Sequence, residues 1–501
     1  MKNIVLLGGS NSVMVNGLQK GLREYANVTN LALGGSTCLQ NLYELKREKN
    51  QEAIQNADLI VTESNINELH QHLNKQEQLS LEAIFRNMQY FYASLYKLKI
   101  PVCILILPSF HQNKHNMVNN MHKYLADFYK FSLISLHDYY KKYNLIGFSN
   151  KFGHHQLSVV SRYVGKEIAK NIDCFKVSDK NLDINLPEFK ILAPEHMQRN
   201  GNFKIFNPSN SIFNEIVYRL EKGNSLAINN YNEYQIIGMH SWMLEEDGCI
   251  GKISVDQAQF QCGSIYIIAH KNTVVKSASK LNRFFELQAE PLIGEDLQVQ
   301  FNYQKLPETE FYSMSISNHT NSVSLPYFDL IAFFLCKPNP KMKLFDLSVI
   351  PTDKDIEIDK DIDRSYLIPN IVFFKDSMEF IDEYIGHLYP NIVKHIDSVL
   401  TPQIIKKTET QILSQLNKNT PKIQPSMQPS LEAENKILKD KIKELETNYQ
   451  KAIKVKNHLS YKLGQALIKA NKNWYKGGYI KFIFEAMKIK KEHKNKDKSN
   501  I

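Results

Sequence analysis

Residues 5–13 read VLLGGSNSV, a stretch that carries a short buried strand directly into a tight turn of small residues. The apolar run Ile4–Leu7 is followed by Gly8, Gly9 and Ser10. A phosphate-binding turn of the dinucleotide type needs the pattern G-x-G-x-x-G, and both its third glycine and a Walker lysine are missing here. The alternative is a turn that presents Ser10 as a nucleophile at the carboxyl end of the strand. This stretch alone leaves both interpretations open.

The segment before about residue 178 alternates short apolar runs with amphipathic helical patterns. The predicted strands are Ile4–Leu7, Val28–Leu33, Leu59–Thr62, Val102–Leu107 and Phe131–Leu136. The predicted helices are Val15–Tyr25, Leu81–Leu98, Asn116–Tyr129 and Val159–Ile172. This alternation predicts an α/β domain over residues 1–178, in which helices cover both faces of a parallel sheet. In such a sheet the loops that follow the strands meet at one edge, where ligands bind.

The rest of the chain divides by composition into four segments. Short β-branched runs separated by Gly, Asn, Asp and Pro predict a β-rich, sandwich-like domain over residues 183–337. Residues 338–400 have the pattern of a mixed, partly helical closing segment, and residues 401–429 that of a polar linker with several prolines. Residues 430–501 combine a short coiled-coil-like helix with a basic tail rich in aromatic residues.

Charge, cysteine and hydropathy patterns narrow the class of protein. The formal net charge is +10, and half of it lies in Lys476–Ile501, where eight lysines stand among three acidic residues. Because no nucleic-acid-binding motif accompanies this charge, we expect the tail to contact an anionic membrane surface or an acidic partner. We also expect the short coiled-coil-like helix to allow self-association. Six scattered cysteines, and no signal peptide or membrane-spanning run, favour a cytoplasmic protein with peripheral contact at the inner membrane.

Three further segments can complete a site if Ser10 is a nucleophile, because acyl transfer needs a base and an oxyanion hole. The glycines of the pair 34–35 follow the second predicted strand, where a glycine lets a backbone N–H approach a substrate. Asn67 follows the third strand and offers a neutral amide donor. His154 and His155 precede the last helix and offer an imidazole at the same edge.

These segments resemble, in order along the first third of the chain, the sequence blocks of the SGNH (GDSL-type) hydrolases. GGSNS resembles G-D-S-x-S, NLALGGST resembles N-x-G-x-x-G-x-T, DLIVTESNINE resembles D-x-V-x-x-x-x-G-x-N-D, and the histidine segment resembles D-x-x-H. The resemblance implies a flavodoxin-like three-layer fold and these site residues: Ser10 as nucleophile, Gly35 and Asn67 as oxyanion donors, and His155 or His154 as the base. The sequence departs from the pattern at Gly9 and Asn65, where the family has Asp and Gly.

The acid expected in the family's triad is missing from its usual position. The residue three positions before the base is Lys151 if the base is His154, and Phe152 if it is His155. Neither type of side chain can orient an imidazole. The distance to the following helix favours His155. The alternatives are a Ser–His dyad, orientation by Asn150 or a backbone carbonyl, and loss of activity.

The resemblance implies a serine esterase or an acyl-transfer enzyme that acts on a carbohydrate without a cofactor or a metal. The tail motif HLSYKLGQALIKA resembles tails of bacterial surface-polysaccharide biosynthesis proteins, which favours an acylated surface sugar as substrate. His111, His115 and His122 lack the carboxylate-rich pattern that would indicate a metal site. The alternative is a non-catalytic glycan-binding or scaffold protein on a decayed SGNH core, which the missing acid favours.

Overall fold

The apolar runs of the first part of the chain form a single parallel sheet. Its strands are β1 (Lys2–Gly8), β2 (Ala26–Asn30), β3 (Leu59–Glu63), β4 (Val102–Ile106) and β5 (Ser132–Ser135). Their order is β2-β1-β3-β4-β5, and every neighbouring pair is parallel. Strands β3, β4 and β5 are buried along their whole length, as expected for a sheet covered on both faces. This is the flavodoxin-like order, so the predicted α/β fold class is confirmed.

The computed structural model describes residues 1–73, 79–110, 115–251, 261–269, 272–294, 297–310 and 323–395. Residues 1–386 form one compact unit. The predicted linker over residues 401–429 and the predicted coil and basic tail over residues 430–501 lie outside the described residues. Membrane contact and self-association were predicted from these residues, and both stay predictions.

Two layers of helices cover the sheet. The helices are α1 (Ser10–Val13), α2 (Leu18–Leu22), α3 (Cys38–Lys46), α4 (Gln51–Gln55), α5 (Asn65–Leu73), α6 (Leu81–Leu98), α7 (His115–Tyr129), α8 (Leu136–Lys142), α9 (Ile146–Asn150), α10 (Ser158–Lys170) and, after the β-rich domain, α11 (Ile371–His395). On one face α2 and α10 pack so closely that a Cβ at Gly21 would overlap the carbonyl oxygen of Arg162. On the other face α3 packs on α6, and α6 on α7.

A β-rich domain follows, as predicted. Its strands are β6 (Glu188–Leu192), β7 (Gln198–Asn200), β8 (Lys204–Phe206), β9 (Val217–Leu220), β10 (Ser225–Ala227), β11 (Gln235–Trp242), β12 (Gln261–Ala269), β13 (Asn272–Ser279), β14 (Asn282–Glu286), β15 (Gln298–Phe301), β16 (Val323–Ser324) and β17 (Phe328–Lys337). One sheet has the order β13-β12-β15-β10-β7 and the other β14-β11-β17-β9-β8. Leu226 and Ile267 of the first sheet pack with Phe285 and Phe333 of the second in one buried cluster, which makes this domain a sandwich.

The second sheet of the sandwich packs on the α/β domain through a shared hydrophobic core. The ring of Tyr43 on α3 lies 5.0 Å from that of Phe284 and 5.6 Å from that of Phe334, measured between centroids. Next to this contact, Arg47 donates to the buried carboxylate of Glu215 at 2.8 Å. These contacts hold β14 beside the loops at the carboxyl edge of the parallel sheet.

After the sandwich the chain returns across the α/β domain. The backbone N–H of Phe345 donates to Oε1 of Gln89 at 2.6 Å, and that of Leu133 donates to the carbonyl of Ile362 at 2.8 Å. Near the start of α11, Phe374 is fully buried. Among the helices of the described residues, none is both long enough and apolar enough to cross a membrane.

Candidate active site

The turn formed by Gly8, Gly9 and Ser10 joins the end of β1 to the short helix α1. It is called the nucleophile turn below because Ser10 is the predicted nucleophile. Gly8 has a φ of +154°, and a Cβ at this position would lie 2.6 Å from Oγ of Ser12 and 2.7 Å from Oε1 of Glu63. A glycine is therefore required where the strand turns. As a result Ser10 begins α1 at the carboxyl edge of the parallel sheet, which is the edge where such sheets bind ligands.

Ser10 contacts one of the two candidate histidines. Oγ of Ser10 lies 2.8 Å from Nε2 of His155, within hydrogen-bond distance. The side chain of Asn11 holds the two segments together, since its Nδ2 donates to the carbonyl of His154 at 3.1 Å and its Oδ1 accepts the N–H of Gln156 at 3.2 Å. Partial burial lowers the pKa of His155 below its ordinary value. The imidazole is therefore neutral at pH 7 and able to accept a proton.

His154 contacts a different part of the molecule. Its ring packs edge-on against the ring of His70 on α5, with 5.1 Å between centroids. Of the two histidines that the sequence leaves open, His155 is thus the one that lies against Ser10. The loop that precedes α10 therefore decides where His155 lies relative to Ser10.

No carboxylate orients the His155 ring within the described residues. Ser10 is the side chain that hydrogen-bonds with this ring in that part of the chain. At the position where the family pattern has its acid, Phe152 packs on Phe148 with 5.1 Å between ring centroids. Lys151 instead forms an exposed ion pair with Asp382 of α11 at 3.3 Å. The pair therefore has the arrangement of a dyad rather than of a triad.

The two predicted oxyanion residues lie against the nucleophile turn. Asn67 stands in the first turn of α5, and its Nδ2 donates to the carbonyl of Ser36 at 2.7 Å. A Cβ at Gly9 would overlap this amide. Gly35 has a φ of +73°. Within the described residues, nothing accepts a hydrogen bond from the backbone N–H of Ser10 or of Gly35.

A buried carboxylate at the end of β3 fastens the nucleophile turn. Oε1 of Glu63 accepts hydrogen bonds from the N–H of Gly9 at 2.9 Å, the N–H of Ser12 at 3.2 Å and the hydroxyl of Ser12 at 2.9 Å. Burial raises the pKa of Glu63 to about 7. The side chain ties β3 to the start of α1 and so sets where Ser10 points its hydroxyl.

The β-rich domain supplies two residues of β14 to the same edge. Arg283 donates through Nη1 to the carbonyl of Gly34. Glu286 accepts hydrogen bonds from the hydroxyl of Thr37 and from Nδ2 of Asn87, the latter at 2.7 Å. Burial raises the pKa of Glu286 to about 7. Both residues contact or flank the loop that carries Gly35, the candidate oxyanion donor.

A cleft of about 430 Å³ lies between the two domains at this point. Its lining includes Val13 and Gly34 from the α/β domain and Trp242, Asn282 and Arg283 from the sandwich. A Cβ at Gly34 would lie 3.8 Å from Cβ of Ser10 and 3.5 Å from Nη1 of Arg283. The cleft therefore ends beside the nucleophile turn and is large enough to hold a sugar.

Among the remaining histidines that the sequence singled out, His122 is the one whose side chain the structure describes. His122 is buried, and its Nδ1 lies 2.8 Å from the hydroxyl of Tyr92. His111 and the side chain of His115 lie outside the described residues. Within the part of the chain that the structure describes, no group of three His, Cys, Asp or Glu side chains is arranged to hold a metal ion.

Solved structures with similarity to this chain include esterases and a lipase, of which three are each matched over about a third of the chain. The acetyl xylan esterase AlAXEase is 16% identical over 34% of this chain and 99% of its own, with a TM-score of 0.30. The lipase Lip_vut3 from a goat rumen metagenome is 17% identical over 35% and 99%, with a TM-score of 0.28. A catalytic mutant of the acetylxylan esterase Axe2 from Geobacillus stearothermophilus is 10% identical over 36% and 97%, with a TM-score of 0.29. At these values the similarities do not determine the activity of this chain.

Two further comparisons concern the sequence. Residues 430–495 match a family described as "Domain of unknown function (DUF8374)". No curated protein matches the chain at a significant level. The predicted likeness of the tail to surface-polysaccharide biosynthesis proteins thus gains no support and stays a prediction.

Sequence reasoning missed Glu63, Asn11, Arg283 and Glu286. Glu63 carried a usable signal, because an acidic residue that directly follows the apolar run Leu59–Thr62 is expected to be buried and therefore to need donors. Arg283 and Glu286 carried none, since they come from another domain more than two hundred residues away in the chain.

Proposed function

We propose that the protein is a serine-dependent esterase or acyl-transfer enzyme whose substrate is an acylated carbohydrate. The observation that carries this proposal is the 2.8 Å contact between Oγ of Ser10 and Nε2 of His155 at the ligand-binding edge of the sheet. A hydroxyl in contact with a neutral imidazole is the minimal arrangement for nucleophilic catalysis.

In this mechanism the Ser10 hydroxyl attacks the ester carbonyl while His155 accepts its proton at Nε2. The resulting oxyanion takes hydrogen bonds from the N–H groups of Ser10 and Gly35 and from the Asn67 amide. Collapse of the tetrahedral intermediate breaks the bond to the sugar oxygen, which leaves with the proton from His155. A water molecule or an acceptor hydroxyl, deprotonated by His155, then attacks the acyl-serine and restores Ser10.

The dyad has to work without the acid that normally orients the base. Here the backbone on both sides of His155 is held by two hydrogen bonds with the Asn11 side chain, one donated and one accepted, which keep this loop beside Ser10. An acid in a Ser-His-Asp triad contributes about 10⁴-fold to turnover, so we expect a slow enzyme. The carbohydrate assignment rests on the cleft, whose apolar wall and side-chain amides suit a sugar ring.

The proposal is tested by labelling with a fluorophosphonate probe, which reacts with an activated serine whatever its natural substrate. We expect the full chain to be labelled, Ser10→Ala to lose all labelling, and His155→Ala to react roughly 10²–10⁴-fold more slowly. His154→Ala is the matched control, because it removes the neighbouring imidazole that packs on His70, and it should keep the parental rate. Equal effects of the two histidine variants would contradict the proposed base.

The second candidate is a non-catalytic glycan-binding protein on a decayed hydrolase core. It is favoured by the absence of a carboxylate at the His155 ring within the described residues. Under this alternative the protein would resist the probe and would turn over no acetylated sugar, while still binding glycans in the cleft.

A further inference from the structure

The cleft contains a cation that the proposed chemistry does not use. Arg283 is the second residue of β14, and its guanidinium reaches across the domain boundary to the carbonyl of Gly34. Nη1 of Arg283 lies 3.5 Å from the position that a Cβ of Gly34 would take. Cβ of Ser10 lies 3.8 Å from the same position. The positive charge is thus held next to the nucleophile turn by a rigid strand.

We propose that Arg283 binds an anionic group of the sugar, a carboxylate or a phosphate, and so makes the enzyme selective for esters of acidic sugars. This inference rests on the proposed function and names the substrate class for it. It also assigns a role to the β-rich domain, which would supply substrate recognition while the α/β domain supplies the nucleophile.

The charge of Arg283 has no counter-ion in the described part of the chain. Nη1 donates to a neutral carbonyl, and Nε is buried and has no acceptor among the described residues. By contrast, Arg47 pairs with Glu215, Arg86 with Glu290 and Arg219 with Asp329. In each of these three pairs a carboxylate lies against the guanidinium.

The other charged groups near the cleft do not neutralise Arg283. Lys280 also lines the cleft but is paired with Glu245. Glu286, on the same strand, accepts its hydrogen bonds from Thr37 and Asn87. The local balance at Arg283 is therefore positive, and Nε of its guanidinium is buried.

An unpaired cation in such a place is a recognition element for an anion. Removing a charge from water costs free energy that an opposite charge offsets. A guanidinium suits a carboxylate or phosphate because its N–H groups match two oxygens of the anion. A neutral sugar would leave the Arg283 charge uncompensated when it displaced water from the cleft, and would bind more weakly.

The test compares three matched sugars that differ at C6: methyl galactoside, methyl galacturonoside and methyl galactoside 6-phosphate. In the full chain we measure how each protects Ser10 from the fluorophosphonate probe. At least one anionic sugar should protect at a concentration about ten-fold or more below that of the neutral sugar, as expected for a charged hydrogen bond. The carboxylate and phosphate arms identify which anion is recognised. Equal protection by all three sugars would overturn the proposal.

Arg283→Gln should abolish the preference, so that in this variant the neutral and anionic sugars protect Ser10 at concentrations within about three-fold of one another. Arg199→Gln, which changes an arginine on the strand β7 where it lies over the ring of Tyr218, is the matched control and should keep the preference. If Arg283 only positioned the Gly34 carbonyl, the variant would slow labelling strongly and equally with every sugar present, and the recognition role would be wrong.

Calorimetry with the Ser10→Ala chain separates this inference from the proposed function. It measures binding of the same three sugars without any reaction. If the probe does not label the parent chain but the Ser10→Ala chain still prefers an anionic sugar, recognition by Arg283 stands and the esterase is refuted. If the probe labels Ser10 of the parent chain but no anionic sugar is preferred, the esterase stands and recognition by Arg283 is refuted.

Discussion

At the scale of single residues, Asn67 and Gly9 form a matched pair. The Asn67 amide occupies the space in which a Cβ of Gly9 would lie, and it donates to the carbonyl of Ser36. Because glycine has no Cβ, the Asn67 amide can lie directly against Gly9, the residue before Ser10. This close approach is the reason to expect Asn67 to act on the reacting carbonyl.

Replacing Asn67 with Ala should reduce turnover of an acetylated sugar by roughly 10²–10³-fold, the usual cost of removing one oxyanion donor. The loss should appear in kcat, because the oxyanion forms only in the transition state. Stability should fall by about 1–3 kcal/mol, because the buried carbonyl of Ser36 loses its donor. Both quantities are measured on the same preparation. A large loss of stability with unchanged activity per folded molecule would mean that Asn67 is a structural residue.

At the scale of elements, β3 and α1 meet at the buried carboxylate of Glu63. Three donors converge on its Oε1, two from the backbone of the turn and one from the hydroxyl of Ser12. Burial nevertheless outweighs these donors and raises the pKa of Glu63 to about 7. The folded chain therefore binds a proton here at pH values where the unfolded chain has lost it.

The stability contributed by protonated Glu63 is complete below the unfolded value of 4.5 and is lost as the pH rises through the folded value of about 7. The difference between the folded and unfolded pKa values of Glu63 corresponds to roughly 3 kcal/mol of unfolding free energy, which is lost once Glu63 is fully ionised. Glu63→Gln keeps an acceptor oxygen but cannot ionise, so stability should fall less between pH 5 and pH 8 than in the parent chain. Urea denaturation at several pH values measures this.

The matched control is Glu82→Gln, which removes an exposed carboxylate in the first turn of α6. It should leave the pH dependence of stability unchanged. Glu286 shifts stability in the same direction as Glu63, because burial also raises the pKa of Glu286 to about 7, so part of the slope should remain in Glu63→Gln. An unchanged slope in that variant would show that Glu63 is already ionised in the folded protein at neutral pH.

At the scale of the whole molecule, the two domains are not independent. Tyr43 is 1% exposed because Phe284 and Phe334 of the sandwich cover it. The buried guanidinium of Arg47 likewise contacts Glu215 of the other domain, in addition to Glu44 of its own. A chain cut between the domains would expose this apolar surface and leave Arg47 with Glu44 as its remaining carboxylate partner.

A fragment of residues 1–178 should therefore unfold at lower temperature than a fragment of residues 1–395, and should tend to aggregate. Exposing large apolar side chains costs about 1.5–3 kcal/mol for each one. Circular dichroism on heating and light scattering measure the two effects. Equal melting temperatures for the two fragments would show that the α/β domain folds independently of the sandwich.

The sequence by itself determined the fold class and the segments that meet at the candidate site. Strand and helix positions follow from local apolar periodicity. The carboxyl ends of parallel strands share one edge, so the neighbourhood of Ser10 could be predicted without coordinates. These are properties of short stretches of chain.

Only the tertiary structure decided which histidine contacts Ser10, and that Glu63, Arg283 and Glu286 belong to the same region. The choice between His154 and His155 depends on a loop held by Asn11, more than 140 residues away in the chain. The position of Arg283 depends on how two domains share a core. Such contacts join distant residues, and their geometry follows from packing of the whole unit, which no local pattern in the sequence encodes.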